Sequence, residues 1–249
     1  MPHSLRTYGL LVIALRQLSV AVVHGALAWV SLVCFTLERG SSGLYLASGF
    51  ALAMLLINPG YIGAIFLGAL AANALLGYPV ETVLLVSIGG TLGAYLGAWL
   101  LSRDKVFNAA LLTARDYLLL VVYGGVIGSA VSAGIGVTGL LSGDILTHAT
   151  QLNSLFFGWL GSVLGVIFIT PLILLWIYPS KEPFSKQKTS EVLWGVTSAF
   201  LVGQMVFLGW LASVIGHSIN FYWLALPVGW AILRLGKRWV AVLLALAAM

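Results

Sequence analysis

Nine apolar runs follow one another along this chain, with only short polar connections between them. They are Leu18 to Leu37, Gly43 to Ile57, Tyr61 to Leu76, Val80 to Leu101, Tyr117 to Leu141, Leu152 to Tyr178, Val192 to Ile215, Phe221 to Leu233 and Trp239 to Met249. Several reach the roughly 20 apolar residues that carry a helix across the bilayer hydrocarbon. In hydrocarbon every backbone N–H and C=O needs a partner inside the protein, and a run of this length finds its partners as an α-helix. The predicted fold is therefore an all-α, polytopic transmembrane helical bundle of about eight spans plus an incomplete final helix.

Composition agrees. Charged residues make up 8% of the 249 and hydrophobic ones 61%, and mean hydropathy is +1.06. A soluble domain devotes roughly a quarter of its residues to charge. Residues 1–249 read as one integral membrane domain, with no room for a soluble catalytic domain. The first run is preceded by Arg6 and Arg16, as a secretory signal would be. It is longer than a signal core and lacks a small-residue cleavage site before Glu38, so it is expected to be a retained span. The second and third runs flank Asn58-Pro59-Gly60, a turn signal, and fit either two compact spans or a re-entrant pair. The ninth has 11 residues and the sequence ends while still apolar, so we expect a truncation at the C-terminal end.

Basic residues orient the bundle. Arg6 and Arg16, then Arg103, Lys105 and Arg115, then Lys181, Lys186 and Lys188, then Arg234, Lys237 and Arg238 fall on alternate connections, eleven of the twelve Lys and Arg. By the positive-inside rule the N-terminus is cytoplasmic. The other side would carry Glu38, Arg39, Glu81, Asp144, His148 and His217. The formal net charge of +5 thus marks topology, not a nucleic-acid surface.

Small residues recur every fourth position at Gly89, Gly93 and Gly97, at Gly124, Gly128, Ser132 and Gly136, and at Gly161 and Gly165. Such stripes let helix backbones approach closely in lipid and are expected to be packing seams. His24 is the clearest ionisable group inside a span; it fits a titrating site or a hydrogen bond to a neighbouring helix. The absence of Asp, Glu and Lys from mid-span positions argues against an ion-coupled pump. Uncharged polar residues, Tyr45, Ser48, Asn73, Thr91, Trp159 and Ser162 among them, either line a small-molecule pocket or satisfy one another across seams. With His24 they are the ligand-pocket candidates. Thr170-Pro171 predicts a kink. Cys34 stands alone, so no disulfide or thiolate site is expected. Phosphate loops, zinc motifs and nucleophile elbows are missing, and Asp144, His148 and His217 form only a weak metal pattern. No catalytic residue, metal or cofactor is expected.

An ordered set of motifs then stands out: Tyr45-Leu46-Ala47-Ser48-Gly49-Phe50-Ala51-Leu52-Ala53, Ile65-Phe66-Leu67-Gly68-Ala69 with Asn73, and Leu96-Gly97-Ala98-Trp99-Leu100-Leu101. Arg115-Asp116, Val131-Ser132-Ala133, Trp159 to Gly165 with Thr170-Pro171-Leu172, and Trp230 to Gly236 follow. From Gly43 to the C-terminus this order resembles the membrane-associated sensor domain MASE, type one. The resemblance implies a bacterial inner-membrane input module in signal transduction. Such a module is joined at its C-terminal side to a cytoplasmic histidine kinase, diguanylate cyclase or phosphodiesterase, none of which is present here. It also implies an unknown small-molecule ligand or a membrane condition as the signal, with a homodimer left open. The chain departs from the family pattern in having Tyr45-Leu46-Ala47, Gly90, Gly93 and Ser162 where the family favours Trp-Pro and intramembrane Asn, Glu and Asp. The alternative reading is a small-solute transporter or substrate-binding membrane subunit, since short helices such as those beside Asn58-Pro59-Gly60 occur at transporter sites.

Overall fold

The computed structural model describes residues 3–38 and 41–178, and side chains for most of these. The runs Val192 to Ile215, Phe221 to Leu233 and Trp239 to Met249 lie outside the described residues, as do Arg39, His217 and the Trp230 to Gly236 motif. The chain divides into two units, residues 1–170 and 171–249. Of the second, only the end of one helix is described.

The elements are α1 (His3–Cys34), a short hairpin of β1 (Thr36–Glu38) and β2 (Ser41–Ser42), α2 (Leu46–Ile57), a 3-10 turn (Pro59–Tyr61), α3 (Ile62–Leu75) and α4 (Val80–Arg103). There follow α5 (Ala114–Leu119), a π-helical segment (Leu120–Gly128), α6 (Ser129–Ser142) and α7 (Gln151–Ile177), which holds Pro171 in its interior. Among the described residues, four stretches are long and apolar enough to cross a membrane: Leu11–Cys34, Val80–Arg103, Arg115–Ser142 and Gln151–Ile177. The protein is a multi-pass membrane protein with a helical fold. Helices α2 and α3, of 12 and 14 residues, extend only about 18 and 21 Å, less than the roughly 30 Å of hydrocarbon.

Two expectations need correction. The first helix starts at His3, well before Leu18, because hydropathy marks only the apolar part of a helix that continues through Arg6 and Arg16. At its other end Thr36 and Leu37 leave the helix and enter β1. Ser31 and Ser42 organise that exit. The Ser31 hydroxyl accepts the Leu46 N–H at 2.9 Å, capping α2, and Ser42 Oγ donates to the Ser31 carbonyl at 2.9 Å. The first bond satisfies a backbone N–H that the start of α2 would otherwise leave orphaned, and the second adds to the Phe35 N–H already on the Ser31 carbonyl.

Helix α4 shows how the bundle is built. Leu84, Ile88, Leu92, Tyr95 and Trp99 form an outward apolar stripe, the reverse of a soluble helix and suited to lipid. Gly89, Gly93 and Gly97 face the other way, onto the π segment and α6. A methyl group placed on Gly97 would meet Gly124 Cα at 2.9 Å, one on Gly128 would meet the Gly93 carbonyl oxygen at 2.7 Å, and one on Gly89 would meet Ile135 Cβ at 2.9 Å. Thr82 Oγ1 continues the antiparallel ladder by donating to the Gly139 carbonyl at 2.8 Å. Close backbone approach of this kind substitutes for the hydrophobic drive that lipid does not provide.

Gly136 departs from its stripe: a methyl group there would meet nothing within 4 Å. The reason is angular drift. Counting from Gly128 at about 100° per residue, Ile135 and Gly139 fall within about 20° of the seam, whereas Gly136 is about 80° away. The seam therefore runs on through Ile135 and Gly139. Gly136→Ala should leave stability unchanged or raise it by roughly 0.5–1 kcal/mol through helix propensity, which thermal unfolding in detergent would read.

Helices α1 and α3 run in parallel. Gln17 Nε2 donates to the Gly60 carbonyl at 2.9 Å, Gly25 lies against Gly68, and Ala28 packs with Ala47 and Ala72. Helix α7 meets α2 through glycines: a methyl group on Gly161 would collide with the Ser42 carbonyl oxygen, and one on Gly165 with that of Tyr45. Three bonds join the same helices: Tyr45 N–H to the Gly161 carbonyl at 2.9 Å, Ser48 Oγ to Ser162 O at 2.8 Å, and Thr170 Oγ1 to Gly49 O at 2.8 Å.

At the opposite end, the loop between α4 and α5 is tied by Asp116. Its Oδ1 accepts the Asn108 N–H at 3.1 Å, while Oδ2 accepts the Thr113 N–H at 2.9 Å and the Thr113 hydroxyl at 2.8 Å. Thr113 in turn accepts the Asp116 N–H, a reciprocal capping box that starts α5. Arg103 lies over the outward Trp99 ring, 4.3 Å from its centroid, an arrangement suited to the membrane–water interface.

Candidate functional site

A cavity of about 80 Å³ opens within residues 1–170, at the end of the bundle that carries the β-hairpin and the turn before α4. Its wall combines the end of α1 (Leu32), the α2 entry (Ser42, Tyr45), the end of α3 (Asn73), Tyr78, the start of α4 (Val86, Gly90), one face of α6 (Ser132, Ala133, Gly136, Val137, Leu140) and one face of α7 (Ser154, Gly158, Ser162). It exists because small residues stand where large ones would fill it. A methyl group on Gly136 or Gly158 would touch nothing within 4 Å. The volume exceeds several times the roughly 10–15 Å³ that admits one water.

Two wall residues hold polar atoms without a partner. Asn73 is 1% exposed; its amide nitrogen donates to Ala69 O at 2.9 Å and approaches Ser87 Oγ at 3.4 Å, while its Oδ1 has no partner. Ser154 is 2% exposed and its hydroxyl is also unpartnered. Buried polar groups are ordinarily bonded, and each exception asks for an explanation. No charged side chain lines the cavity among the described residues. Burial pushes the Tyr78 phenol above its ordinary value, so near neutral pH it stays a neutral donor.

Of the seven residues expected to line a pocket, Tyr45, Asn73 and Ser162 share this cavity. The other four are elsewhere. Ser48 borders a separate space of about 10 Å³ with Gly124, Gly128 and Ser132, and its hydroxyl is already bonded to Tyr45 O and Ser162 O. Thr91 donates to the Ser87 carbonyl of its own helix at 2.8 Å. The Trp159 indole donates to Val126 O, in the π segment, at 3.1 Å. His24 is buried between α1 and α3, where it stacks on Phe50 with ring centroids 6.2 Å apart and its Nδ1 has no partner.

Sequence reasoning passed over Ser154, Tyr78, Ser42 and Gly90. Ser154, Gly158 and Ser162 are four residues apart and so share one face of α7, a small polar stripe that could have marked the wall. Among the described residues no group of three or more His, Cys, Asp or Glu is placed to hold a metal ion. His148 Nδ1 pairs with Gln151 Oε1 at 3.3 Å.

A family model described as MASE1 matches residues 14–249. The match reaches further towards the N-terminus than the motif order, which begins at Gly43, and takes in most of α1. No curated protein and no solved structure matches the chain.

Proposed function

This chain belongs to the MASE1 family, a membrane sensory domain of signalling proteins, and from that premise we propose that it detects a small ligand through the cavity and relays the state of the α4–α6 seam to an output domain. One observation carries the reading. Ser132 lies on both features: it lines the cavity, and a methyl group on Gly93 would approach its Cβ at 2.8 Å. An occupant therefore touches the two helices whose packing the glycines set. A ligand shifts that packing only if it binds one arrangement better than the other.

In this proposal residues 1–249 form one domain of about eight spans, held in a bacterial inner membrane with the N-terminus cytoplasmic. The alternate placing of eleven basic residues supports that orientation. The parallel run of α1 and α3 keeps the same parity whether α2 and α3 cross fully or turn back within the bilayer. The output is a histidine kinase or a cyclic-di-GMP enzyme attached beyond the C-terminal side. The family match gives no support to the transporter alternative.

Output activity in membranes containing the full-length signalling protein tests this. Gly93→Leu, which forces α4 and α6 apart, should change that activity at least several-fold at equal protein level. Unchanged output after exchanging residues 80–142 for unrelated apolar helices would sink the sensory role.

A further inference from the structure

The cavity's unpartnered atoms specify the chemistry of its occupant. Asn73 Oδ1 can only accept a hydrogen bond, and its amide nitrogen is already used on Ala69. The Ser154 hydroxyl can donate or accept and does neither within the protein. Both residues are more than nine-tenths buried, and both lie on the wall of one space. Val137 and Leu140 supply an apolar surface beside them. A charged occupant would find no opposite charge on this wall.

We infer that the cavity binds an uncharged small molecule of a few heavy atoms that carries at least one hydrogen-bond donor, a simple amide or alcohol in chemical class. With Asn73 and Ser154 turned slightly into the space, since both unpartnered atoms are closed to it as they stand, its donor takes Asn73 Oδ1, its second polar atom takes Ser154 Oγ, and its apolar part lies against Val137 and Leu140. The size of the space sets the limit, since drug-sized ligands occupy pockets of roughly 300–1,000 Å³. This deepens the sensory reading and rests on it for what binding does, but not for binding itself.

The probe is trifluoroacetamide, followed by ¹⁹F NMR titration into the whole chain in nanodiscs, with trifluoroacetate as the charged counterpart. Saturable binding of the amide, with the acid at least tenfold weaker, is expected. Asn73→Leu should weaken amide binding about tenfold. Because a buried asparagine can also matter to folding, Gly136→Leu gives an independent arm: that glycine faces open space, so a larger side chain fills the cavity without striking a neighbouring backbone. It should abolish saturable binding while the helical circular dichroism is retained. Absence of saturable amide binding to the unaltered chain, equal binding of amide and acid, or full amide affinity in Gly136→Leu would each overturn the inference. Binding that follows the expected pattern, together with an output enzyme insensitive to Gly93→Leu, would uphold the site and remove the sensory reading.

Discussion

Gly165→Ala should lower stability by about 1–3 kcal/mol, the usual range for overpacking a close-fitted interior. The added methyl group would collide with the Tyr45 carbonyl oxygen and lie 2.6 Å from Ser48 Oγ. A carbonyl at the entry of α2 cannot rotate aside as a side chain can, and the Tyr45 N–H is already held by Gly161 O. Helix propensity alone favours alanine over glycine, so the sign of the result separates packing from propensity. Gly136→Ala is the matched control, because there the propensity gain meets no obstacle. Reversible unfolding in mixed micelles measures both, and a Gly165→Ala variant as stable as Gly136→Ala would contradict the proximity of α2 and α7.

The second large effect belongs to Asp116→Ala. Its carboxylate, 3% exposed, accepts three hydrogen bonds that close the loop from Asp104 to Thr113. Removing it leaves the Asn108 and Thr113 N–H groups without their acceptor and dissolves the capping box. A loss of about 2–3 kcal/mol is expected, in keeping with bonds to charged acceptors. The loss should be concentrated in this loop, so amide hydrogen exchange at Asn108, Thr113 and Asp116 is the informative measurement. Asp116→Asn keeps one acceptor oxygen and should fall between the two. Exchange unchanged at those amides in the alanine variant would show that the loop is held by something else.

Hydropathy located the helices with little error where a span ends at a turn residue. Val80 to Leu101 became Val80–Arg103, and Leu152 to Tyr178 became Gln151–Ile177. It failed at the start of α1, since a transfer scale measures affinity for lipid and not helical conformation, and at Thr36 and Leu37, which lie in a strand whose pairing depends on Ser41 and Ser42. The glycine stripes on α4 and on the π segment were readable because a four-residue repeat survives a few helical turns. Gly136 was misread because it does not survive more. The cavity was only partly legible: Tyr45, Asn73 and Ser162 are polar residues in apolar runs, but Gly90, Gly136 and Gly158 contribute by what they lack. Which side chains are missing opposite one another is a property of the packed helices, not of any one of them.

The π-helical stretch from Leu120 to Gly128 bears on how this span tolerates change in length. A π turn closes its hydrogen bonds one residue later than an α turn, so it resembles an α-helix into which a residue has been inserted. Deleting one residue at Val121 or Val122 can be absorbed by tightening the turn, leaving Gly124, Gly128 and everything after them facing α4. The same deletion in α4, which has no such reserve, would rotate half of that helix by about 100° and turn its glycines toward the lipid. Alignment gaps among relatives of this chain should therefore gather between Leu120 and Gly128 and avoid α4.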